Sequence, residues 1–354
     1  MEKHIAQRWI ASFLAIVLAV MALLSGVAYI VDPFFQFRVK DNSYMLSGWF
    51  VGSGLIENYD YDTLIVGSSM TQNFDMGVFR SELGVKPLHV GLGGIRSSEI
   101  HQLMNVAYDA NKGKDYFICV DLSAFTDDNA ESRYPKYLLK KDFFSRLRYL
   151  LSYEAWFRYI PVDVCFMLLD RLGVDLPLKF AYSKSVDRLE DWRLDYTFGK
   201  DVVLNNYVSD KYSVSEVDVE NLYERMTAHI DDYLLKFRFE KGTHTFFFPP
   251  YSSLYWCDAQ NDGYFDAYLS AKQYFVERAT EYGANVYDFQ CAGFTVDLNN
   301  YRDTTHYRPE INDWMVECFA NRDYFATIEN YDIFQEKLIE NTNSFRSEYS
   351  ELFE

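Results

Sequence analysis

Short apolar runs that end in tight turns and lead into helical patterns leave this chain few folds to choose from. Thr63-Leu64-Ile65-Val66 is such a run; it stops at Gly67-Ser68-Ser69, and a helical pattern follows over about residues 75–83. Residues 87–92 repeat the device and end in Gly91-Leu92-Gly93-Gly94; Ser97-Ser98-Glu99 then opens a helix toward Asn111, with Ser97 as its expected N-cap. Residues 116–122, Thr245-Phe246-Phe247-Phe248 and residues 284–289 read as further strands, with a helix over about 265–282 between the last two. Strands alternating with helices predict an α/β fold, a parallel sheet covered on both faces. Residues 123–241 interrupt the alternation with an aromatic-rich, mostly helical pattern and read as an insertion, a cap beside the site.

In open α/β sheets ligands bind beyond the carboxyl ends of the strands. That places Gly67-Ser68-Ser69, Gly91–Gly94, the segment 121–123 and Pro249-Pro250-Tyr251-Ser252 around one crevice. Ser69 is the nucleophile candidate. A serine hydroxyl is weak until a base takes its proton, and His306 is the candidate base. Asp303, three residues earlier, can hold the other ring nitrogen and stabilise the imidazolium. Pro309 fits the first turn of a closing helix. Either motif alone is commonly a turn or a cap. Their order along the strands is what makes them a constellation. Pro249–Ser252 reads as pocket floor or rim, Asp121 as a structural carboxylate more than a site residue, and His89, His101 and His244 as scaffold or surface histidines.

Strand-Gly-Ser-Ser at the start, a Gly-rich second loop and a terminal D-x-x-H resemble the SGNH (GDSL-type) hydrolase superfamily, over residues 61–322 less the insertion. The resemblance implies a flavodoxin-like three-layer sandwich and a Ser69–His306–Asp303 triad. It also implies an oxyanion hole built from the backbone N–H groups of Ser69 and Gly94. The family carries an Asn after its third strand; this chain has Val120-Asp121-Leu122-Ser123 there, leaving Ser123 as a weak substitute donor. With its N-terminal anchor the chain resembles a cell-envelope branch of that superfamily. That branch includes the teichoic-acid D-alanylation protein and the partners of membrane-bound O-acyltransferases. It implies acyl transfer to, or ester cleavage on, a cell-envelope glycan or polyol polymer, with an O-acyltransferase as a candidate partner. The alternative is a non-catalytic envelope component that binds glycan or such a partner. Metal ligands do not cluster, and no cofactor is expected.

The run from Ile10 to Val31 is apolar and uncharged. At ~1.5 Å per residue it reaches ~33 Å, about the thickness of a bilayer core. Gly26-Val27-Ala28 resembles a signal cleavage site, but the apolar run continues past it, which favours an uncleaved anchor. Lys3 and Arg8 favour a cytoplasmic N-terminus and an extracytoplasmic remainder, against Arg38 and Lys40 on the other side. The expected organisation is an anchor over 1–32, an irregular connector over 33–60, the α/β domain over 61–322 and a solvated, acidic helical tail over 323–354. A net charge of −18 disfavours nucleic acid as a partner. Five cysteines without a C-x-x-C pair predict no disulfide framework, the one candidate pair being Cys257 with Cys291.

Overall fold

The computed structural model describes residues 2–40, 44–126, 132–177, 184–188, 196–208 and 218–353. Parts of the expected insertion, 127–131, 178–183, 189–195 and 209–217, lie outside the described residues. The chain divides into two compact units, one of residues 1–59 and 133–185, the other of 60–132 and 186–354.

The larger unit is α/β. Its parallel strands are β1 (Thr63–Gly67), β2 (Pro87–Gly91), β3 (Asp115–Cys119), β4 (Thr243–Phe248) and β5 (Asn285–Asp288). They lie in the order β2-β1-β3-β4-β5, and a two-residue strand β6 (Phe325–Ala326) adds antiparallel to the β5 edge. Register is set by pairs such as Leu64 with Leu88 and with Tyr116, and Ile118 with Phe246. Because side chains alternate across a strand, β4 divides its phenylalanines between two cores. Phe247 meets Phe319 and Phe74 on one face; Phe246 and Phe248 meet Phe275 on the other. Helices α3 (Met76–Leu83) and α11 (Pro309–Asn321) therefore cover the first face, and α8 (Leu222–Leu235) and α10 (Phe265–Glu281) the second. Much of the chain's aromatic content is consumed in these two layers.

Helix α4 (Ser97–Ala110) begins one residue earlier in capping terms than expected. Arg96 occupies the N-cap, and its N–H donates to the Glu99 carboxylate at 2.9 Å. The last helix, α12 (Tyr331–Glu348), is not a solvated tail. It packs on α9 (Ser253–Asn261) and buries Tyr331, Leu338, Thr342 and Phe345, a stripe at helical spacing hidden by its acidic composition. Arg346 donates to Cys257 O and Gln260 Oε1, each at 3.0 Å. At the β5 end, Lys272 of α10 pairs with Asp288 at 2.8 Å, both almost wholly buried, and Tyr331 donates to the same carboxylate. All five cysteines are free: Cys257 donates to Thr342 O, and Cys291 to Asp288 O.

The smaller unit holds α1 (Glu2–Val31), α2 (Gly48–Asn58), α5 (Phe143–Leu150) and α6 (Ile160–Arg171), with a π-helical turn Ala155–Tyr159 before α6. Helix α1 is long and apolar enough to cross a membrane over His4–Val31. Segment 33–60 is not an irregular connector. Glycines at 48, 52 and 54 lower its helix propensity, yet α2 forms because Val51, Leu55 and Ile56 are buried. The exit of α1 is tied down tightly. Asp32 accepts from the N–H groups of Gln36, Phe37 and Arg38 and from the Tyr149 hydroxyl, at 2.8–3.1 Å. Phe34 packs against Phe50, Tyr149 and Tyr159.

The part of the expected insertion in residues 133–185 thus clusters with the N-terminal segment. The remainder, including α7 (Lys200–Val208) and α8, belongs to the α/β unit.

Candidate active site

Strand β1 delivers Gly67 and Ser68 to the carboxyl edge of the sheet, where the backbone turns into a single 3₁₀ turn, Ser69–Thr71. Gly67 is required by space: a Cβ there would come within 2.5 Å of Cys119 Cβ and Thr71 Cγ2. Ser68 caps the turn by accepting from Met70 N–H, and the Thr71 hydroxyl donates back to Ser68 O at 2.8 Å. With its proton committed there, Thr71 Oγ accepts from His89 Nε2 at 3.0 Å. Burial pushes His89 down to about 3, so the ring is neutral and carries its proton on Nε2. His89, rising from β2, is therefore a brace beneath the turn. His101 and His244 are likewise buried, pushed down to about 4 and bonded to Tyr233 O and the Tyr108 hydroxyl.

Ser69 emerges half-buried from this braced turn. Its Oγ lies 2.9 Å from His306 Nε2, and His306 Nδ1 lies 2.7 Å from Asp303 Oδ2. Nδ1–H donates to the carboxylate, which leaves Nε2 as the acceptor for the serine proton. Asp303 Oδ1 has a separate task. It accepts the N–H groups of Thr305 at 3.0 Å and His306 at 2.8 Å and so shapes its own loop. Burial raises the Asp303 carboxyl, but the hydrogen bonds from the His306 ring and backbone and from Thr305 outweigh it and hold it below the ordinary 3.8. Asp303 is thus an ionised acceptor.

The loop that carries Asp303 and His306 is clamped on several sides. Tyr301 and Tyr307 form an isolated antiparallel bridge that closes it. The Tyr307 hydroxyl and Asn312 Nδ2 both donate to Met70 O at 2.9 Å, joining this loop directly to the serine turn. Ser252, at the end of β4, donates to Thr304 O through its N–H at 3.0 Å and its hydroxyl at 2.7 Å. From the insertion, Asn206 donates to Arg302 O and the Gly199 N–H to Tyr301 O. The sequence pattern gives Pro249–Ser252 only a general place at the pocket floor or rim and does not single out Tyr307 or Asn312. Asn312 lies three residues after Pro309, on the helix that follows the histidine; a polar side chain at an otherwise inward position was the signal available.

Ser69 and His306 open into a cleft of about 380 Å³, which Gly94, Ser123 and Asp121 also line. All of the expected site residues except the buried Asp303 reach its wall. Gly94 has φ +63°, a left-handed conformation that glycine adopts without strain, and this turns the second loop over the cleft. Asp121 lines the cleft, at the crevice position expected of segment 121–123, and is held there as a structural carboxylate. The Tyr251 hydroxyl donates to its Oδ1, and Ser68 bonds it as well. Burial raises the Asp121 carboxyl, partly offset by those two hydrogen bonds. Arg96, Ser97 and Ser98, at the start of α4, complete a polar wall where the sequence pattern shows only a helix start.

A serine hydroxyl, an imidazole nitrogen within hydrogen-bond reach of it and a buried carboxylate behind the imidazole form an arrangement that can generate an alkoxide-like nucleophile in an open cleft. No family model matches the chain, and no curated protein is significantly similar to it.

Proposed function

We propose that the protein is a membrane-anchored, extracytoplasmic serine acyltransferase or esterase of the SGNH type, acting on acyl esters of a cell-envelope glycan or polyol polymer. The observation that carries this reading is the continuous Ser69 Oγ–His306 Nε2–Asp303 chain at 2.9 and 2.7 Å, assembled from opposite ends of the sequence. In the proposed cycle Ser69 Oγ attacks the ester carbonyl as His306 takes its proton. Collapse of the tetrahedral adduct expels the leaving oxygen, which takes that proton from His306 and departs as the alcohol. A sugar or polyol hydroxyl, or water, then attacks the acyl-serine, with His306 as base again. The N–H groups of Ser69 and Gly94 are the proposed oxyanion donors, with Ser123 as a weak third. The strand order β2-β1-β3-β4-β5 agrees with the flavodoxin-like arrangement, which supports the superfamily assignment. The apolar helix α1 supports the anchor.

The test is covalent labelling with a fluorophosphonate probe. Folded wild-type protein should be labelled on Ser69 and Ser69→Ala should not. Equal labelling of the two would sink the assignment. Release of acyl groups with and without added polyol acceptors then separates transfer from hydrolysis. A binding-only role is favoured by one feature, Asp121-Leu122-Ser123 in place of a loop asparagine. Full pathway function in cells carrying Ser69→Ala would select it.

A further inference from the structure

The smaller unit presents an unusual surface. Outside α1, nine exposed large apolar side chains among the described residues fall between positions 143 and 174, against six in the whole α/β unit. Phe144 is 78% exposed, Leu172 77% and Phe157 72%, and Phe143 and Leu168 join them. Soluble surfaces rarely concentrate apolar groups this way unless something covers them.

Two further observations say what the cover is. First, α5 and α6 both pack on α1, and Tyr149 of α5 holds Asp32 and Phe34 at the end of that helix. The apolar surface therefore continues directly from the helix long enough to cross a membrane, few of whose described side chains are buried. Second, the charge is inverted locally. Between positions 133 and 177 eight Lys and Arg stand against five Asp and Glu, in a chain whose net charge is −18. Arg148, Arg158 and Arg171 are interspersed with the exposed aromatic and aliphatic groups. Apolar side chains with basic neighbours, at the point where a chain leaves a bilayer, match the interfacial zone of a membrane rich in anionic lipid.

We infer that residues 143–174 form a membrane-seated platform: α5, the π-helical turn and α6 lie in the headgroup region beside the exit of α1, with Phe143, Phe144, Phe157, Leu168 and Leu172 entering the acyl boundary. The platform rests on the reading of α1 as a span. It fixes the tilt of the smaller unit at the bilayer surface, beyond what a single tether does.

Cys165 on α6 is exposed, whereas the other four cysteines are buried, so it accepts a fluorophore in the full-length protein. In nanodiscs containing anionic lipid, shallow spin-labelled lipids should quench a Cys165 fluorophore at least about threefold more than iodide in the aqueous phase does, as expected for an interfacial position. Phe157→Glu with Leu172→Glu should reverse that order, while Phe157→Leu should preserve it. A fluorophore on Leu18→Cys, in a Cys165→Ser background, reports on the span. If the Leu18 label is quenched by deep spin-labelled lipids but the Cys165 label sits in iodide-accessible water, the platform is refuted and the anchor survives. If neither is quenched by lipid, both fall. Efficient Cys165–Cys165 cross-linking between copies without lipid quenching would assign the surface to a second copy and overturn the proposal.

Discussion

Replacing Asp303 by Asn separates the two jobs of that carboxylate. In the native loop Oδ1 accepts the N–H groups of Thr305 and His306, while Oδ2 accepts His306 Nδ1–H at 2.7 Å. An asparagine can keep its carbonyl oxygen in the Oδ1 position, so the loop retains its turn. Its amide then stands where Oδ2 was and presents a donor to Nδ1. Two donors cannot face each other, so the imidazole shifts its proton to Nε2 and donates toward Ser69 instead of accepting from it. Such an exchange in a serine triad with intact geometry costs ~10⁴ in rate, about 5.5 kcal/mol of transition-state stabilisation. The second-order rate of fluorophosphonate labelling of Asp303→Asn should fall by that order, with the unfolding midpoint nearly unchanged. Asp303→Ala removes both tasks and should also lose stability, by about 1–3 kcal/mol for the orphaned N–H groups. A labelling rate for Asp303→Asn within about tenfold of wild type would refute the tautomer argument, because a positioned Nε2 acceptor requires that carboxylate.

Asn312→Ala should leave the fold intact but loosen the join between the histidine loop and the serine turn, slowing labelling by ~10-fold or more through misplacement; Tyr307, the second donor to Met70 O, makes the double variant more severe. Lys272→Met strands the Asp288 carboxylate in a site where the pair is 2% and 1% exposed, and should cost about 3–5 kcal/mol by urea unfolding. Adding Asp288→Leu to that variant should recover much of the loss, and no recovery would contradict the desolvation account. Acid should destabilise the protein through its buried histidines. His89, His101 and His244 bind protons more weakly folded, at about 3, 4 and 4, than unfolded, at 6.5. Their contribution is complete above pH 6.5 and falls as the pH drops below it, on the order of 2 kcal/mol each by pH 5. Urea unfolding at pH 7 and pH 5 checks this: His101→Phe should lose less between the two than wild type by about that amount.

The strands were legible because each is a short, nearly continuous apolar run, the signature of a sheet buried on both faces. The limits Thr63–Gly67 and Thr243–Phe248 fall within two residues of the expected ones, whereas β3 ends at Cys119, three residues short of the expected 122. What local pattern could not carry was long-range burial. Helix α2 looked irregular because its glycines mask residues buried in the smaller unit. Strand β6 has two residues, too few to show a strand's period. Helix α12 looked solvated because its buried positions are diluted by acidic neighbours.

The residues of the site divide the same way. Sequence alone determined that Ser69 follows a strand, that Asp303 and His306 share one loop, that glycine stands at 94 and that a long apolar helix lies near the N-terminus. These depend on chemical type and spacing, which the chain writes locally. Tertiary structure decided that Ser69 and His306, 237 positions apart, meet at 2.9 Å. It also decided that Tyr307 and Asn312 hold them there and that Tyr251 and Ser68 bond Asp121. It gathered residues 133–185 into one compact unit with the N-terminal helix, although they interrupt the strands in sequence. The physical reason is that such contacts follow from which surfaces bury together, a property of the whole packed sheet and its helices that no window of sequence contains.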